Sequence, residues 1–341
     1  MLRFTLWDLA LALLLAAGGC DTHDHDFVKT DVFVQGPSEQ ADILWVVDDS
    51  VSMEQEIPQL IANSAAFLDP LLSNGVDFHI GVTTTDLNPD NPDAGALVGP
   101  VITSSTPDSA AEFQAQLDVG TDGSDLEMGL AAPLAALLPP LVDTANAGFL
   151  RADASLAIIV VSDENDCSGL GDGETGEDCY NRYDELTPVE DLVAELRAIK
   201  QGSAGPLSLS GLVGPDYVEG CTYAVPGKRY AEAIDRLGGV REDICDPDYP
   251  AVMGAIGVVA SGLRSTFHLS WPAVADTIEV SVTDVYGNEV FASEDPQTAW
   301  AYVESADGSY GNLVFLGAAV PPRGATIGVE YTCARDCGTG G

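Results

Sequence analysis

The stretch ILWVVDDSVSMEQEI, Ile43 to Ile57, runs five apolar residues straight into two aspartates and two serines. A short continuous apolar run fits a strand covered on both faces. Its abrupt end places Asp48, Asp49, Ser50 and Ser52 where the chain leaves the sheet, and such groups cost several kcal/mol to bury without partners. The pattern predicts a strand that delivers oxygen atoms to a site at its carboxyl end.

Similar runs recur further along the chain. Leu156 to Val161 and Leu207 to Val213 read as further buried strands, while Val76, Phe78, Ile80 and Val82 alternate with Asp77, His79 and Gly81 as a strand nearer an edge would. That alternation places His79 on the more polar face. Helical stretches lie between the strands. Thr187 is placed to cap a helix with Glu190 completing a capping box, Pro188 in the first turn, an apolar stripe of Val189, Leu192, Val193 and Leu196, and Gly202 as the stop. Other helices are predicted after Met53 (Ile57, Leu60, Ile61 and Leu68 inward), after Ser124 through Leu130, Leu134 and Leu137, and from Tyr249 to Leu263. Strands alternating with helices predict an α/β fold with a doubly wound, mostly parallel sheet over residues 41–264. Beyond about Ser265 the helical period gives way to short strand-like runs, TFHLSW, TIEVSV, NEVFA, WAYVE, NLVFLG and TIGVEYT, which predict a small all-β, sandwich-like module over 265–341.

The N-terminus, MLRFTLWDLALALLLAAGGC, has one arginine, an apolar run and small residues before Cys20. This is the form of a bacterial lipoprotein signal over residues 1–19, with Cys20 acylated. Residues 20–40 mix charge with Gly and Pro and are expected to form a flexible tether, in which His23 and His25 are solvated. No other stretch has the roughly 18 consecutive apolar residues a membrane-spanning helix needs. Besides Cys20 there are six cysteines, Cys167, Cys179, Cys221, Cys245, Cys333 and Cys337, suited to three disulfides in an oxidising compartment. Of the fifteen pairings six cysteines allow, sequential neighbours close the shortest loops and are the expected set. Without a Cys-x-x-Cys, zinc on sulfur is not expected.

With 54 acidic against 13 basic residues, the formal charge of −41 repels phosphate backbones and anionic lipid, which excludes nucleic acid as a partner. Cations, or acidic groups reached through a bound cation, are the partners that remain.

Asp48-x-Ser50-x-Ser52 ends the first strand, the later strand LAIIVVSD ends at Asp163, and VGTDGSDLEMGL between them is a Gly-rich turn offering Thr121 and Ser124. This combination resembles the metal-ion-dependent adhesion site of von Willebrand factor type A domains, whose sheet is Rossmann-like, over residues 41–264. The resemblance implies that Asp48, Ser50, Ser52, Thr121 and Asp163 hold Mg²⁺, directly or through water. Ser124 competes with Thr121, its spacing to Gly129 matching the family's helix start equally well; Val51 stands where the family often has glycine. Mg²⁺ takes about six oxygens and keeps waters readily, which suits hydroxyls with two carboxylates; Mn²⁺ or Ca²⁺ are alternatives. The plainer reading, that Asp48 and the serines cap the next helix, accounts for one residue and not for the set. Two acid-rich loops, one around Cys167 and Cys179 with Asp163, Glu164, Asp166, Asp172, Glu174, Glu177 and Asp178, the other DLNPDNPDAG from Asp86, lack EF-hand spacing and read as solvated. The first leaves the sheet beside Asp163 and could rim a ligand face.

No phosphate-binding glycine loop, dinucleotide fingerprint or Gly-x-Ser-x-Gly elbow occurs, and no general base stands out. The expected function is therefore binding and not catalysis: a lipid-anchored protein of the bacterial cell envelope that captures an acidic group of a protein or glycan through a divalent metal, attached to the membrane by its lipid only. A metal-dependent hydrolase and a structural envelope protein with a stabilising metal are the alternatives.

Overall fold

A computed structural model describes residues 27–334, apart from 37–39, 172–173, 202–205, 217–220, 222–223, 265, 293–298, 306–309 and 316–318. The expected signal segment, Cys20, His23, His25, Gly202 and Cys337 lie outside the described residues.

The first strand, β1 (Val28–Val34), corrects the expectation of a tether over 20–40. It pairs antiparallel along its whole length with the last strand of the chain. Charged composition suggested solvation, yet Asp31 is buried and its carboxylate accepts bonds from the Ser270 N–H (2.7 Å), the Ser270 hydroxyl (2.7 Å) and the Tyr331 hydroxyl (2.9 Å). A buried carboxylate is tolerated when donors satisfy it, and here those donors come from about 240 to 300 residues away.

The six-stranded sheet holds β2 (Gln40–Val47), β3 (Asp77–Thr84), β4 (Ile102–Thr103), β5 (Ser155–Ser162), β6 (Leu207–Val213) and β7 (Arg241–Asp243) in the order β4-β3-β2-β5-β6-β7. All neighbours are parallel except the edge strand β4. Seven helices are described: α1 (Glu56–Ser73), α2 (Ser109–Leu117), α3 (Ala132–Leu137), α4 (Gly176–Asn181), α5 (Val189–Ile199), α6 (Lys228–Leu237) and α7 (Tyr249–Ala260). Successive β2 side chains point to opposite faces. Ile43, Trp45 and Val47 join one core with residues of α1, α2 and α7, while Leu44 and Val46 join another with residues of α3, α5 and α6. β5 divides the same way, with Ala157, Ile159 and Val161 against Leu156, Ile158 and Val160. Two covered faces explain why the strands are apolar without a break over Ile43–Val47 and Leu156–Val161. Trp45 meets Phe67 of α1 edge-on at 4.8 Å and Phe113 of α2 at 5.5 Å.

Two helix expectations need correction. Residues 124–131 are not helical, and α3 begins only at Ala132. N–H groups that a helix would use internally go elsewhere, Met128 to the Thr85 carbonyl (3.1 Å) and Leu130 to the Asp166 carboxylate (2.9 Å), while the Ala131 N–H is shared between the Met128 carbonyl (3.0 Å) and the Ser168 hydroxyl (3.0 Å). Thr187 does not cap α5, which starts after Pro188 without a side-chain cap; the Thr187 N–H, which Glu190 would take in the expected capping box, is bonded to the Ser168 carbonyl.

The C-terminal strands are β8 (Thr266–His268), β9 (Glu279–Thr283), β10 (Glu289–Ala292), β11 (Trp300–Glu304), β12 (Gly311–Phe315) and β13 (Thr326–Thr332). They form two antiparallel sheets, β1-β13-β9-β10 and β11-β12-β8, whose side chains, including Phe267, Trp300, Leu313, Phe315, Ile327 and Tyr331, share one core. Among the described residues no helix is long and apolar enough to cross a membrane.

Candidate metal centre

After β2 the chain passes through α1 to β3 on one side and later returns to β5 on the other, so the order of strands reverses between β2 and β5. In open parallel sheets the crevice at such a reversal is where ligands bind, beyond the carboxyl ends of the strands. Asp48 follows β2 and Asp163 follows β5.

Hydrogen bonds join these two ends. Asp48 is fully buried, accepting the Ser50 N–H at 2.9 Å on one carboxylate oxygen and the Ser162 hydroxyl at 2.7 Å on the other. The Ser50 hydroxyl lies 2.8 Å from the Ser52 hydroxyl, which donates to Asp163 at 2.9 Å. Ser50 sits at the N-cap of the short 3₁₀ turn Val51–Glu54 but makes no side-chain cap bond, and α1 has none either. The serine hydroxyls are thus turned toward the crevice and not spent on helix ends. Ser52 is exposed, so the crevice opens to solvent through it.

Several buried oxygens here have no donor. They are the second oxygen of Asp163, one oxygen of Asp49, and both carboxylate oxygens of Glu127. Burial is the largest cause raising every carboxyl in the group, and neighbouring carboxylates add to it. Asp48 is raised; Asp163 is pushed up to about 6 by burial and then by Asp48, and Glu164 to about 7 by burial, Asp48 and Asp163. Asp49 reaches about 7 through burial and Asp86, and Glu127 about 10 through burial, Asp48 and Glu164. Gathering like charges out of water is costly unless protons or a cation neutralise them. A hard dication takes oxygen ligands of this kind, carboxylate and hydroxyl together, so the donor set fits one.

Thr121 and Ser124 are both half-buried, the Ser124 hydroxyl accepts the Leu126 N–H at 3.1 Å, and no hydrogen bond among the described residues ties either to Asp48, Ser50, Ser52 or Asp163. The same loop brings in Glu127, fully buried, with the Glu164 carboxyl alongside. The peptide group that follows it is pinned at both its polar atoms: the Glu127 carbonyl accepts the Cys167 N–H at 2.7 Å, and the Met128 N–H donates to the Thr85 carbonyl just past β3. Earlier in the loop, Gly123 N–H bonds to the Asp49 carbonyl at 2.8 Å. The sequence did hold a signal, since Glu127 stands three positions before Leu130 and so on the apolar stripe of the helix that was expected there.

The acidic run after β5 divides by role. Asp163 and Glu164 face the crevice. Asp166 is bound to the buried Arg229 (3.0 Å), Asp178 completes a capping box with Thr175, and Glu174 pairs with Arg182. In the other acid-rich loop Asp86 accepts Asn88 and Asn91, closing local turns. His79 lies toward the opposite end of the sheet, 3.0 Å from the Phe149 carbonyl and facing Asp42 on β2. Cys167 with Cys179 and Cys221 with Cys245 are bonded, and the pairing expected for Cys333 extends outside the described residues. Cys221, Asp243 and Cys245 form the one trio of possible metal ligands drawn within 4.8 Å among the described residues, but its sulfurs are joined to each other.

No protein family matches the sequence, and no curated protein does. Among solved structures the chain is similar to the pilus adhesin SpaC from Lactobacillus rhamnosus GG, at 9% identity and a TM-score of 0.47, over 89% of this chain and 41% of that one. It is also similar to the adhesive tip pilin GBS104 from Group B Streptococcus agalactiae (9%, 0.36, 92% and 82%) and the pilus adhesin RrgA from Streptococcus pneumoniae (6%, 0.33, 89% and 58%). The chain thus spans less than half of SpaC.

Proposed function

We propose that this chain is a binding protein of the bacterial cell envelope, held to the membrane through lipid on Cys20, whose α/β part grips a divalent cation at the ends of β2 and β5. The cation would be held by Asp48, Ser50, Ser52 and Asp163, in the manner of the adhesion sites of von Willebrand factor type A domains. When bound, it supplies an electrophilic coordination position for an oxygen atom of a partner protein or glycan. The observation that carries this reading is the hydrogen-bonded chain from Asp48 through the Ser50 N–H, and from the Ser50 hydroxyl through the Ser52 hydroxyl to Asp163, which joins two strand ends and leaves a buried Asp163 oxygen without a donor. The chain's own residues position that oxygen set and leave it open to solvent at Ser52.

Mg²⁺ suits two carboxylates with two hydroxyls, and Mn²⁺ and Ca²⁺ share the preference for oxygen. An acidic partner group follows if the cation faces only two carboxylates; the wider crowd of acids leaves the partner class as an oxygen-bearing group. Val51, 73% exposed, and Tyr180, 45% exposed and just after Cys179, flank the crevice and offer apolar contact area to a partner.

The test is capture of envelope components by the purified chain, with and without EDTA, for wild type and Asp48→Ala. Binding that EDTA and the substitution both abolish is the expected result. Capture indifferent to both would overturn it; turnover of a captured ester or glycan lost in Asp48→Ala would instead mark a hydrolase, and loss of stability alone a structural cation.

A further inference from the structure

Resting on the cation reading above, the geometry points to Glu127 as a third carboxylate ligand of that cation, in a site built for calcium in preference to magnesium. Glu127 is 0% exposed, yet no N–H or O–H of another residue reaches either of its carboxylate oxygens. Buried side-chain oxygens in folded proteins are nearly always satisfied, so this one implies a partner of another kind.

A shared proton is the competing partner, because the Glu164 carboxyl lies close enough for one. It satisfies one oxygen and leaves the other bare. A cation that accepts a carboxylate through both oxygens satisfies the pair, and calcium does so commonly at about 2.3–2.6 Å, whereas magnesium demands near-octahedral geometry at about 2.0–2.1 Å and keeps its waters.

Placement supports the same choice. The peptide group that follows Glu127 is tied to the loops after β3 and β5, through Thr85 and Cys167, and these strands flank β2, so the loop that carries Glu127 crosses the end of β2 where Asp48 stands. Three carboxylates also raise the charge count, the quantity by which proteins tune calcium affinity over decades.

The experiment is calorimetric titration of the full chain with Ca²⁺ alone and Mg²⁺ alone, for wild type, Glu127→Gln and Asp48→Ala. Calcium should bind wild type at least about 10-fold more tightly than magnesium, and Glu127→Gln should weaken calcium by about 10-fold or more while changing magnesium far less. Equal affinities in wild type and Glu127→Gln, with binding abolished in Asp48→Ala, would overturn the role of Glu127 and leave the cation site standing. Magnesium binding as tightly as calcium would overturn the ion preference, and no heat from either ion in wild type would remove the cation reading itself. If Glu127→Gln does not fold, crystals of wild type grown with calcium decide the matter: a Glu127 oxygen in the ion's shell supports the assignment, and an ion held without it ends it.

Discussion

Ser52 carries more of the site than its size suggests, because one hydroxyl joins the end of β2 to the end of β5 through Asp163. The carboxyls around it give the cation-free protein a pH dependence whose sign can be worked out. Asp163, Glu164 and Asp49 hold protons more tightly folded than unfolded, with folded values of about 6, about 7 and about 7. A raised carboxyl contributes stability that is fully present below its unfolded value near pH 4 and is lost as pH rises through the folded value. Thermal melts in EDTA should therefore show Tm falling between about pH 4 and pH 7.5, with a shallower slope in Asp163→Asn. A Tm that is flat or rises over this range in wild type would contradict the assignment. Asp48, Ser50, Ser52 and Asp163 could be read from the chain because each ends a strand at recognisable spacing. Glu127 showed only as an acid three positions before Leu130 on an apolar stripe, a sign of burial that does not say which loop folds over the crevice.

The segment from Cys167 to Cys179 shows how an element can be set by its surroundings. The disulfide closes 12 positions of sequence and brings the start of α4 against the loop that carries Glu127: a Cβ built on Gly176 would stand 2.4 Å from the Asp125 carbonyl. Loop closure of this size is worth about 3 kcal/mol on the chain-entropy model. The double variant Cys167→Ser/Cys179→Ser should lose about 2–4 kcal/mol in denaturant titration and bind cation more weakly, since the Cys167 N–H supports the Glu127 carbonyl. Unchanged cation affinity would show that the loop bearing Glu127 is held without the disulfide. The failed helix over 124–131 has the same origin. Its period was genuine in the apolar residues, Leu130, Leu134 and Leu137 all being buried, but its N–H groups found partners on other strands' loops.

Across the whole chain, the strand nearest the N-terminus completes the sheet nearest the C-terminus. β1 supplies an entire edge to β13 and packs Phe33 against Phe267, the rings tilted with centroids 5.4 Å apart. Just past β1, Gln35 donates to the carbonyls of Arg264 (2.9 Å) and Pro321 (3.0 Å). A chain shortened to start at residue 37 should keep its cation affinity, because the crevice draws nothing from β1, but its β module should melt earlier and become sensitive to protease. Calorimetry and limited proteolysis check this; a module as resistant as in the full chain would show that β1 is dispensable.

Composition and spacing were enough for the alternation of strands and helices, the all-β end, two of the sulfur pairings and the oxygen-bearing strand ends, because these depend on neighbours within a few positions along the chain. The fate of residues 28–34, the irregular path of 124–131 and the arrival of Glu127 beside Asp48 needed the folded molecule. Each turns on a buried polar group whose partner lies far away in sequence, and no local pattern names that partner.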